Sequence, residues 1–403
     1  MTPFGVTLKG VMQSRKNPLP ENPFVFGEII DETSFVNRTR ERADLIRDLA
    51  DGQKVFLLSP RRFGKSSLVS VALLQLNKRY IRTVNLTVSS YPSYVQFLED
   101  FAEKVLQAAG GWERVKDWVK SFGRMLQPSM SVNVATGQVN VSLGKGAAEK
   151  TDPIASEIFA LPGQVARQGG FRMAICLDEF QQIREFGGVS VENVLRNAVQ
   201  QQREVGYVFA GSQPSLMKQM LSSKRPFYKS GPQMFLDKIS AADWRDFIVR
   251  QFRKRERTLD NAGVEALLTA ADLIPYDVQR IAHELWDIAE LKQQKQLGAD
   301  DVDSVVQALV AGQSTYYEVL WEGFSARQRA ALQAMAARGP DEIYSEAIRD
   351  EFRLGPASSV QKALQSLDSR DILDRYNGSY FFLDPLLPRW IRHRSSPTNT
   401  ILC

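Results

Sequence analysis

One segment of the chain combines residue types and spacing that suit the binding of phosphate groups. An apolar run at 54–58 leads into Ser59-Pro-Arg-Arg-Phe-Gly-Lys-Ser66, and an amphipathic helical pattern follows. A strand, a tight loop and a helix in this order present backbone N–H groups and the positive end of a helix dipole to phosphate oxygens. Gly64 allows close approach of the backbone, Lys65 can reach the β- and γ-phosphates, and the Ser66 hydroxyl can ligate Mg²⁺. The pattern therefore predicts a nucleotide-binding loop.

A pair of carboxylates farther along the chain strengthens this prediction. The loop itself departs from the pattern G-x-x-x-x-G-K-[ST], because Ser59 stands where the first glycine is expected. The apolar run at 171–177, however, ends in Asp178 and Glu179. At the carboxyl end of a parallel strand, Asp178 is placed to coordinate Mg²⁺ and Glu179 to polarise an attacking water. The alternative interpretation is that Asp178 and Glu179 only cap the helix that follows. The Gly-Lys-Ser loop earlier in the chain favours the magnesium site over this alternative.

A third apolar run ends in further polar side chains. Residues 206–210 are followed by Gly211, Ser212 and Gln213. Ser212 is a candidate for orienting the attacking water or sensing the γ-phosphate. The structural alternative is a capped turn before the next helix, and both interpretations remain open at this point.

The elements that must position these side chains alternate between strand and helix patterns. Near-continuous apolar runs are typical of buried parallel strands, and their alternation with helices predicts an α/β layered domain. The strand candidates are 54–58, 81–86, 171–177, 206–210 and 233–239. The fold class that we predict is an α/β parallel-sheet core with a helical lid and a C-terminal winged helix-turn-helix domain.

The rest of the chain divides by pattern. The pattern from 241 to 312 predicts a wholly helical lid without strands, and three helices followed by a hairpin around Asn377-Gly378 predict the winged helix. Strict alternation on both sides of Thr136-Gly137 predicts a second hairpin, either a contact arm or a surface ornament. The predicted units are an N-terminal arm or linker at 1–23, the core at 24–240 with the hairpin insertion at 131–143, the lid at 241–312, the winged helix at 313–395 and a tail at 396–403.

Composition excludes several classes of protein. With two cysteines and two histidines among 403 residues, a disulfide framework and a Cys/His zinc cluster are excluded. The apolar runs are too short for a membrane span, and the first residues lack the pattern of a secretory signal, so we expect a cytoplasmic protein without a membrane partner. The net charge is +5, from 51 basic and 46 acidic residues.

The charge of the winged helix leaves its partner open. From 313 to 403 there are 11 Lys and Arg and 11 Asp and Glu residues, so this part is neutral. Neutralisation of phosphates dominates affinity for nucleic acid, and a neutral module is a poor competitor for it. Double-stranded DNA is therefore one candidate partner. Docking on the chain's own core or on a protein partner is the other.

The motifs together resemble the P-loop ATPases of the AAA+/STAND type, in the archaeal-type ATPase branch. The matching stretches begin at Phe35, Pro60, Leu177, Ala210, Pro226, Pro275 and Tyr380 and follow the family's order. The resemblance implies ATP and Mg²⁺ as cofactors and a loop-bearing strand that lies between the fourth and fifth strands. It implies that adenine lies between the N-terminal linker and the lid. The residues that it assigns to ATP are Phe35, Arg38, Pro60, Arg61, Arg62, Phe63, Gly64, Lys65, Ser66, Ser67 and Pro275.

The resemblance also implies roles in hydrolysis. Lys65, Glu179 and Ser212 are the candidate catalytic residues, and Ser66 and Asp178 the candidate Mg²⁺ ligands. Arg225 is the candidate arginine that acts on a neighbouring subunit's nucleotide, against the alternative of an ordinary surface arginine. The lid arginine of the wider class is absent near Tyr276, which favours slow turnover, with Arg280 as a candidate substitute.

These observations lead to one main hypothesis and two alternatives. The main one is a slow Mg-dependent ATPase that acts as a nucleotide-controlled conformational switch, with a link to DNA left open. The first alternative is a DNA-binding regulator that uses ATP as a ligand with little turnover. The second is a signalling or defence scaffold whose winged helix or hairpin contacts a protein partner or another copy of the chain.

Overall fold

The computed structural model describes residues 22–28, 35–110, 129–133, 138–143, 151–376 and 378–395. The predicted N-terminal arm lies almost wholly outside these residues, and so do the tail at 396–403, Thr136-Gly137 and Asn377. Within the described ranges, none of the helices has both the length and the apolar character that crossing a membrane requires.

The core alternates helices and strands as the sequence predicts. In chain order its elements are α1 Thr39–Ala50, β1 Lys54–Leu58, α2 Lys65–Lys78, β2 Arg82–Thr87, α3 Tyr94–Ala109, β3 Ser129–Asn133, β4 Gln138–Ser142, α4 Thr151–Gly169, β5 Met173–Asp178, α5 Val189–Gln200, β6 Val205–Gly211, α6 Pro214–Met220 and β7 Gln233–Phe235. The fifth strand is shorter than predicted, because the chain leaves the sheet after Phe235.

Five parallel strands form the central sheet in the order β2-β5-β6-β1-β7. Counted in chain order, the fourth and fifth strands of this sheet are β6 and β7, and β1, which precedes the candidate loop, lies between them. This is the position that the resemblance implies. Every residue of β6 is buried, as are four of the five residues of β1. Apolar side chains on both faces explain why these runs do not alternate in polarity.

Helices cover both faces of the sheet. On one face, α3 and α4 pack with aromatic residues of the strands, among which Phe209 stacks on Phe56 at 5.0 Å and on Tyr207 at 5.7 Å between ring centroids. On the other face, α1 and α2 pack on smaller side chains such as Ala174 and Ala210. The aromatic rings of β1 and β6 all lie on the α3 and α4 side, so that face holds the main aromatic core.

The hairpin β3–β4 is antiparallel and packs against α3. The backbone N–H groups of Val141 and Leu143 donate to Glu103 and Glu99 of α3, each at 2.7 Å, and both apolar side chains are buried. The second strand of the hairpin is thus fixed to the core by hydrogen bonds and by apolar contact.

The lid follows the core and contains four helices: α7 Ala241–Arg253, α8 Asn261–Ala270, α9 Pro275–Leu291 and α10 Ala299–Gly312. Two short strands, β8 Thr258–Leu259 and β9 Gln296–Leu297, pair in parallel between them. The prediction that the lid holds no strand was therefore wrong. Two-residue strands leave no periodic signal in a sequence, which explains the error.

The winged helix begins at α11 Ser314–Glu322 and continues through α12 Ala326–Arg338, α13 Glu346–Glu351, α14 Ala357–Ser369, β10 Leu373–Tyr376, β11 Ser379–Phe382 and α15 Leu387–Ser395. The two strands are antiparallel and form the wing. The sequence did not indicate α11 or α15. The latter buries Leu387, Trp390 and Ile391 against the preceding helices.

Replacing Phe209 with alanine should lower the free energy of unfolding by about 3–5 kcal/mol, because this fully buried ring touches four other aromatic rings. Urea unfolding followed by circular dichroism measures the change. Leu291→Ala, at a side chain that is 85% exposed, should stay within about 0.5 kcal/mol of the native protein. Equal losses in the two variants would contradict this account of the core.

Candidate functional site

The loop between β1 and α2 has the backbone that its sequence suggests. Gly64 lies at φ +84° immediately before the first residue of α2, and space around it is open, so the left-handed backbone is what requires glycine there. Ser59 is fully buried, and its hydroxyl donates to the Pro60 carbonyl at 3.0 Å. Ser59 is absent from the residues with positive φ. The first position of this loop therefore does not need the glycine of the usual pattern.

Side chains from three strand ends meet next to this loop. The Lys65 ammonium donates to Asp178 and lies 3.4 Å from a Glu179 carboxylate oxygen. The Ser66 hydroxyl donates to the other Asp178 oxygen at 3.0 Å. The Ser212 hydroxyl donates to Glu179 Oε2 at 2.5 Å. One hydrogen-bonded cluster thus joins the loop with the carboxyl ends of β5 and β6.

Glu179 is held more firmly than the sequence indicated. Its backbone lies at φ +53°, and its Oε2 accepts a second hydrogen bond, from the buried amide of Gln181 at 2.6 Å. Burial alone would raise the pKa of Glu179, but the charge of Lys65 and the hydrogen bonds from Ser212 and Gln181 hold this pKa below its ordinary value. Glu179 is thereby kept ionised.

A cavity of about 540 Å³ opens beside this cluster. Its walls include most of the loop together with Glu179 and Ser212. Further lining comes from an N-terminal segment, Val25 to Glu28, and from the start of α9, where Pro275, Tyr276 and Gln279 lie, and Ser89 and Gln182 complete it. This volume falls within the range of small-molecule and cofactor sites.

The N-terminal segment is fastened to the lid by specific contacts. The Phe26 ring lies 5.8 Å from the Tyr276 ring and 5.1 Å from the His283 ring. His283 Nδ1 lies 2.5 Å from the Phe24 carbonyl oxygen, and the Asn22 amide donates to the His283 carbonyl. Val25, Phe26, Tyr276 and Gln279 were not predicted as lining residues. Tyr276 and Gln279 belong to the stretch that begins at Pro275, whereas no motif marks Val25 or Phe26, which only the fold brings beside Pro275.

Some of the predicted ATP residues lie outside this cavity lining. Phe35 packs against the apolar layer of α1 and α2. Arg38 is 4% exposed and donates to the carbonyl oxygens of Phe63 and Asp237. Phe63 is itself fully buried. Arg38 therefore supports the loop from behind, and burial lowers the pKa of its guanidinium.

The other predicted loop residues line the cavity together with Pro275. They are Pro60, Arg61, Arg62, Gly64, Lys65, Ser66 and Ser67.

Arg225 is engaged elsewhere. Its guanidinium pairs with Glu192, whose side chain is completely buried, and Arg184 approaches the same carboxylate at 4.0 Å. Arg225 does not line the cavity. Arg280 also lies outside the lining and is a neighbour of Asp277 instead. In this structure neither arginine is directed at the cavity.

The loop makes direct contact with the winged helix. Arg61 Nη1 lies 2.9 Å from Asp371 Oδ2. Arg62 Nη1 lies 3.8 Å from Asp277 of the lid and 4.0 Å from Asp384 that follows the wing, and it donates to the Leu383 carbonyl at 3.4 Å. Arg62 thus lies where the core, the lid and the winged helix meet.

Asp277 is an unusual carboxylate at this meeting point. It is fully buried, and among the described residues neither of its oxygens has a hydrogen-bond partner. Burial raises its pKa to about 7, while the charge of Arg62 opposes the shift and that of Asp384 adds to it. A proton on Asp277 is therefore favoured in the folded protein at pH values where an exposed aspartate is ionised.

The fold of this chain is similar to that of proteins whose structures are known. The Walker-type ATPase of Pyrococcus abyssi superposes on this chain with a TM-score of 0.62 at 17% identity, over 92% of this chain and 99% of that chain. The chain has the P-loop ATPase fold. A family model described as "Probable winged helix domain" matches residues 315–393, so this P-loop ATPase fold carries a C-terminal winged helix.

Two further solved structures align along most of the chain at lower similarity. The ORC1 protein of Aeropyrum pernix, solved in complex with DNA, gives a TM-score of 0.48 at 14% identity and covers 90% of this chain and 93% of that one. The RuvB Holliday junction branch migration motor of Thermotoga maritima gives 0.44 at 13%, with coverages of 90% and 96%. No curated protein matches the sequence.

The Asp277 carboxyl predicts a specific pH dependence of stability. Between about pH 4 and pH 7, folded Asp277 binds a proton that the unfolded chain has released, so its contribution to stability falls as the pH rises through this window. Asp277→Asn cannot ionise and should escape this fall. The stability of the variant relative to the native protein should therefore increase from pH 5 to pH 8, as measured by thermal unfolding. Asp303→Asn, at an exposed lid position, is the control, and parallel pH profiles for Asp277→Asn and the native protein would refute the assignment.

Proposed function

We propose that this protein is a Mg-dependent ATPase whose nucleotide state controls the attachment of the winged helix to the core. The observation that carries the proposal is the cluster of Lys65, Ser66, Asp178, Glu179 and Ser212 at one edge of the sheet, beside a cavity of about 540 Å³. The P-loop ATPase fold makes nucleotide the expected ligand of such a cluster.

The residues present fit Mg-ATP. Lys65 is positioned to hold the β- and γ-phosphates, and the loop amides from Arg61 to Ser67 surround them. The Ser66 hydroxyl and the Asp178 carboxylate are hard oxygen donors within 3.0 Å of each other, which is the chemistry that Mg²⁺ prefers. The base would pack against the cavity wall that Phe26, Pro275 and Tyr276 form.

Bound Mg-ATP supplies the phosphoanhydride bond and the charge-neutralising metal ion. Glu179 is kept ionised, and its Oε2 accepts hydrogen bonds from Ser212 and Gln181. Its Oε1 lies 3.4 Å from the Lys65 ammonium and can accept a proton from water once Lys65 turns to the phosphates. In this structure the Lys65 ammonium pairs with the carboxylates of Asp178 and Glu179. Contacts to phosphate oxygens would replace part of these ion pairs when ATP binds. Slow turnover is expected because the guanidinium of Arg225 is already paired with Glu192.

The switch is supported by the shared arginines of the loop. Arg61 and Arg62 line the cavity and also contact carboxylates beyond the core, Asp371 and Asp384 of the winged helix and Asp277 of the lid. Guanidinium groups bind phosphate and carboxylate with similar planar geometry, so phosphate oxygens compete with these carboxylates. Filling the cavity would thus weaken the attachment of the winged helix.

A DNA-linked regulator is the second candidate. The recognition helix would be α14. Its first half exposes Ser358, Gln361 and Lys362. In its second half, Gln365 and Asp368 face α6 of the core across a narrow cleft. An exposed polar start of this helix is suited to reading base edges. A protein partner for the same surface is the remaining alternative, and a salt-dependent response to duplex DNA distinguishes the two.

The purified protein should hydrolyse ATP in the presence of Mg²⁺, and Lys65→Ala should reduce the rate by about 100-fold or more, because it removes the charge that faces the phosphates. Glu179→Gln should retain ATP binding and lose turnover by a similar factor. Steady-state phosphate release and equilibrium binding of labelled ATP measure the two effects.

The control in this assay is Lys224→Ala, at an exposed lysine outside the cavity. A rate that does not depend on Lys65 would contradict the ATPase assignment. Duplex DNA is added as a separate arm. Stimulation that disappears with added salt would support the DNA-linked candidate, and a Lys65-dependent rate that ignores DNA would favour a protein partner.

Asp371→Asn should raise the affinity for ATP by about 2- to 5-fold, since it removes the carboxylate that competes for Arg61 and exposed ion pairs of this kind contribute up to about 1 kcal/mol. Isothermal titration with ATP and Mg²⁺ measures the change. Asp350→Asn is the matched control, because it removes one negative charge from an exposed position of the same domain away from the loop. The same affinity in both variants would argue against competition.

A further inference from the structure

Asp277 lies next to the cavity at the phosphate loop without lining it. It belongs to the first turn of α9, in which its neighbours Pro275 and Tyr276 form part of the cavity wall. Its side chain is completely buried, and neither carboxylate oxygen accepts a hydrogen bond from the described residues. A buried carboxylate without such partners is costly to ionise, so its state of protonation depends on the charged groups around it.

The charges that act on Asp277 come from the loop, the lid and the winged helix. Arg62 of the loop and Arg280 of α9 favour the ionised carboxylate, whereas Asp384 of the winged helix and Asp272, which precedes α9, oppose it. Of these four side chains, Arg62 alone lines the cavity. A ligand in the cavity can therefore act on Asp277 through Arg62.

The two acidic neighbours of Asp277 have partners of their own. Asp384 accepts a hydrogen bond from the Tyr317 hydroxyl at 3.0 Å, and burial raises the pKa of this tyrosine, which therefore adds no charge. Asp272 pairs with Lys238 at 2.7 Å. These contacts do not involve the cavity, so a ligand there leaves the acidic neighbours in place.

The Arg62 guanidinium, by contrast, is held loosely. Its Nη1 lies 3.8 Å from Asp277 Oδ2 and 4.0 Å from Asp384 Oδ2, and it donates to the Leu383 carbonyl at 3.4 Å. All three distances exceed the usual 2.7–3.2 Å of an N–H···O hydrogen bond, roughly speaking. The side chain is 37% exposed and lies over the Tyr276 ring at the cavity wall. Little is lost when this group turns toward a phosphate.

We propose that the binding of ATP is coupled to the uptake of a proton by Asp277, with Arg62 as the link between the two sites. The inference rests on the proposed function, because it takes ATP as the ligand of the cavity. Phosphate oxygens that draw the guanidinium into the cavity remove the positive charge that lies 3.8 Å from the Asp277 carboxylate. The carboxylate then binds a proton from solvent, which replaces the charge that it has lost.

The direction of the pH dependence follows from this exchange. With Arg62 in its present place, burial raises the pKa of Asp277 to about 7, and removal of the guanidinium raises this pKa further. Below about pH 6, Asp277 is protonated with or without ATP, and binding takes up no proton. At about pH 7 to 8, Asp277 is largely ionised before ATP binds and largely protonated afterwards, so the affinity for ATP falls as the pH rises.

Isothermal titration of the full chain with the β,γ-imido analogue of ATP and saturating Mg²⁺ measures the proton uptake. Titrations at one pH in buffers of different ionisation enthalpy give the number of protons from the slope of the observed enthalpy. At about pH 7.5 the native protein should take up about half a proton more per bound nucleotide than Asp277→Asn, which cannot titrate. From about pH 6.5 to 8.5 its affinity should fall about 3- to 10-fold relative to that of the variant.

Two further variants identify the link. Asp303→Asn, at an exposed position of the lid, should take up the same number of protons as the native protein. Arg62→Gln keeps Asp277 but lacks the guanidinium, so it should bind the analogue more weakly and without the additional proton. It also keeps the test decisive if Asp277→Asn disturbs folding. Undiminished proton uptake by Arg62→Gln would overturn the coupling through this arginine.

The failure of this inference is distinguishable from the failure of the proposed function. Binding of the analogue to the native protein and to Asp277→Asn with equal proton uptake and parallel pH profiles would overturn the coupling and leave the ATP site intact. No binding to the native protein beyond that of Lys65→Ala would overturn the proposed function and the coupling with it.

Discussion

The relative register of three parallel strands is the constraint on which the rest of this structure depends. Leu58 of β1 lies beside Gly211 of β6, and Leu177 of β5 lies beside Phe209 of the same strand. Because the strands run in one direction, their carboxyl ends meet at one edge, and the loop before α2, the acidic pair after β5 and Ser212 come into contact. The strands are buried on both faces, so a shift in register would disrupt packing on each.

The sheet was predictable because its strands are nearly continuous apolar runs. Four of the five strands lie within two residues of their predicted bounds, and the fifth ends four residues earlier than predicted, at Phe235. The periodicity of apolar residues did not reveal the short elements, because they contain too few residues to show a repeat. The two-residue strands of the lid have no detectable period, and α15 begins within a Pro-Leu-Leu-Pro segment and is rich in arginine. Its existence depends on the apolar surface that Trp390 and Ile391 cover, and that surface is built by other helices. Tertiary contact, rather than local preference, decides such elements.

The residues of the candidate site also fall into two groups, those that the topology of the sheet brings together and those that depend on tertiary contacts. Residues at strand ends were found because the edge of the sheet brings them together by topology alone. Phe26 was not found, since its place depends on how the N-terminal segment lies along α9, held there by His283. The partner of Arg225 could not be anticipated either. Glu192 is one of many acidic residues in the sequence, and only its complete burial beside Arg225 makes the pairing obligatory.

The contacts of Arg61 and Arg62 restrict which winged helix can be joined to this core. With a winged helix that lacks carboxylates at the places of Asp371 and Asp384, Arg61 would lose its ion-pair partner and Arg62 would keep only Asp277 of the lid. The two loop arginines and the carboxylates of the winged helix are adjacent in space but more than 300 residues apart in the chain. They are therefore expected to vary as a pair among relatives, and a functional chimera would need to carry both pieces from the same parent.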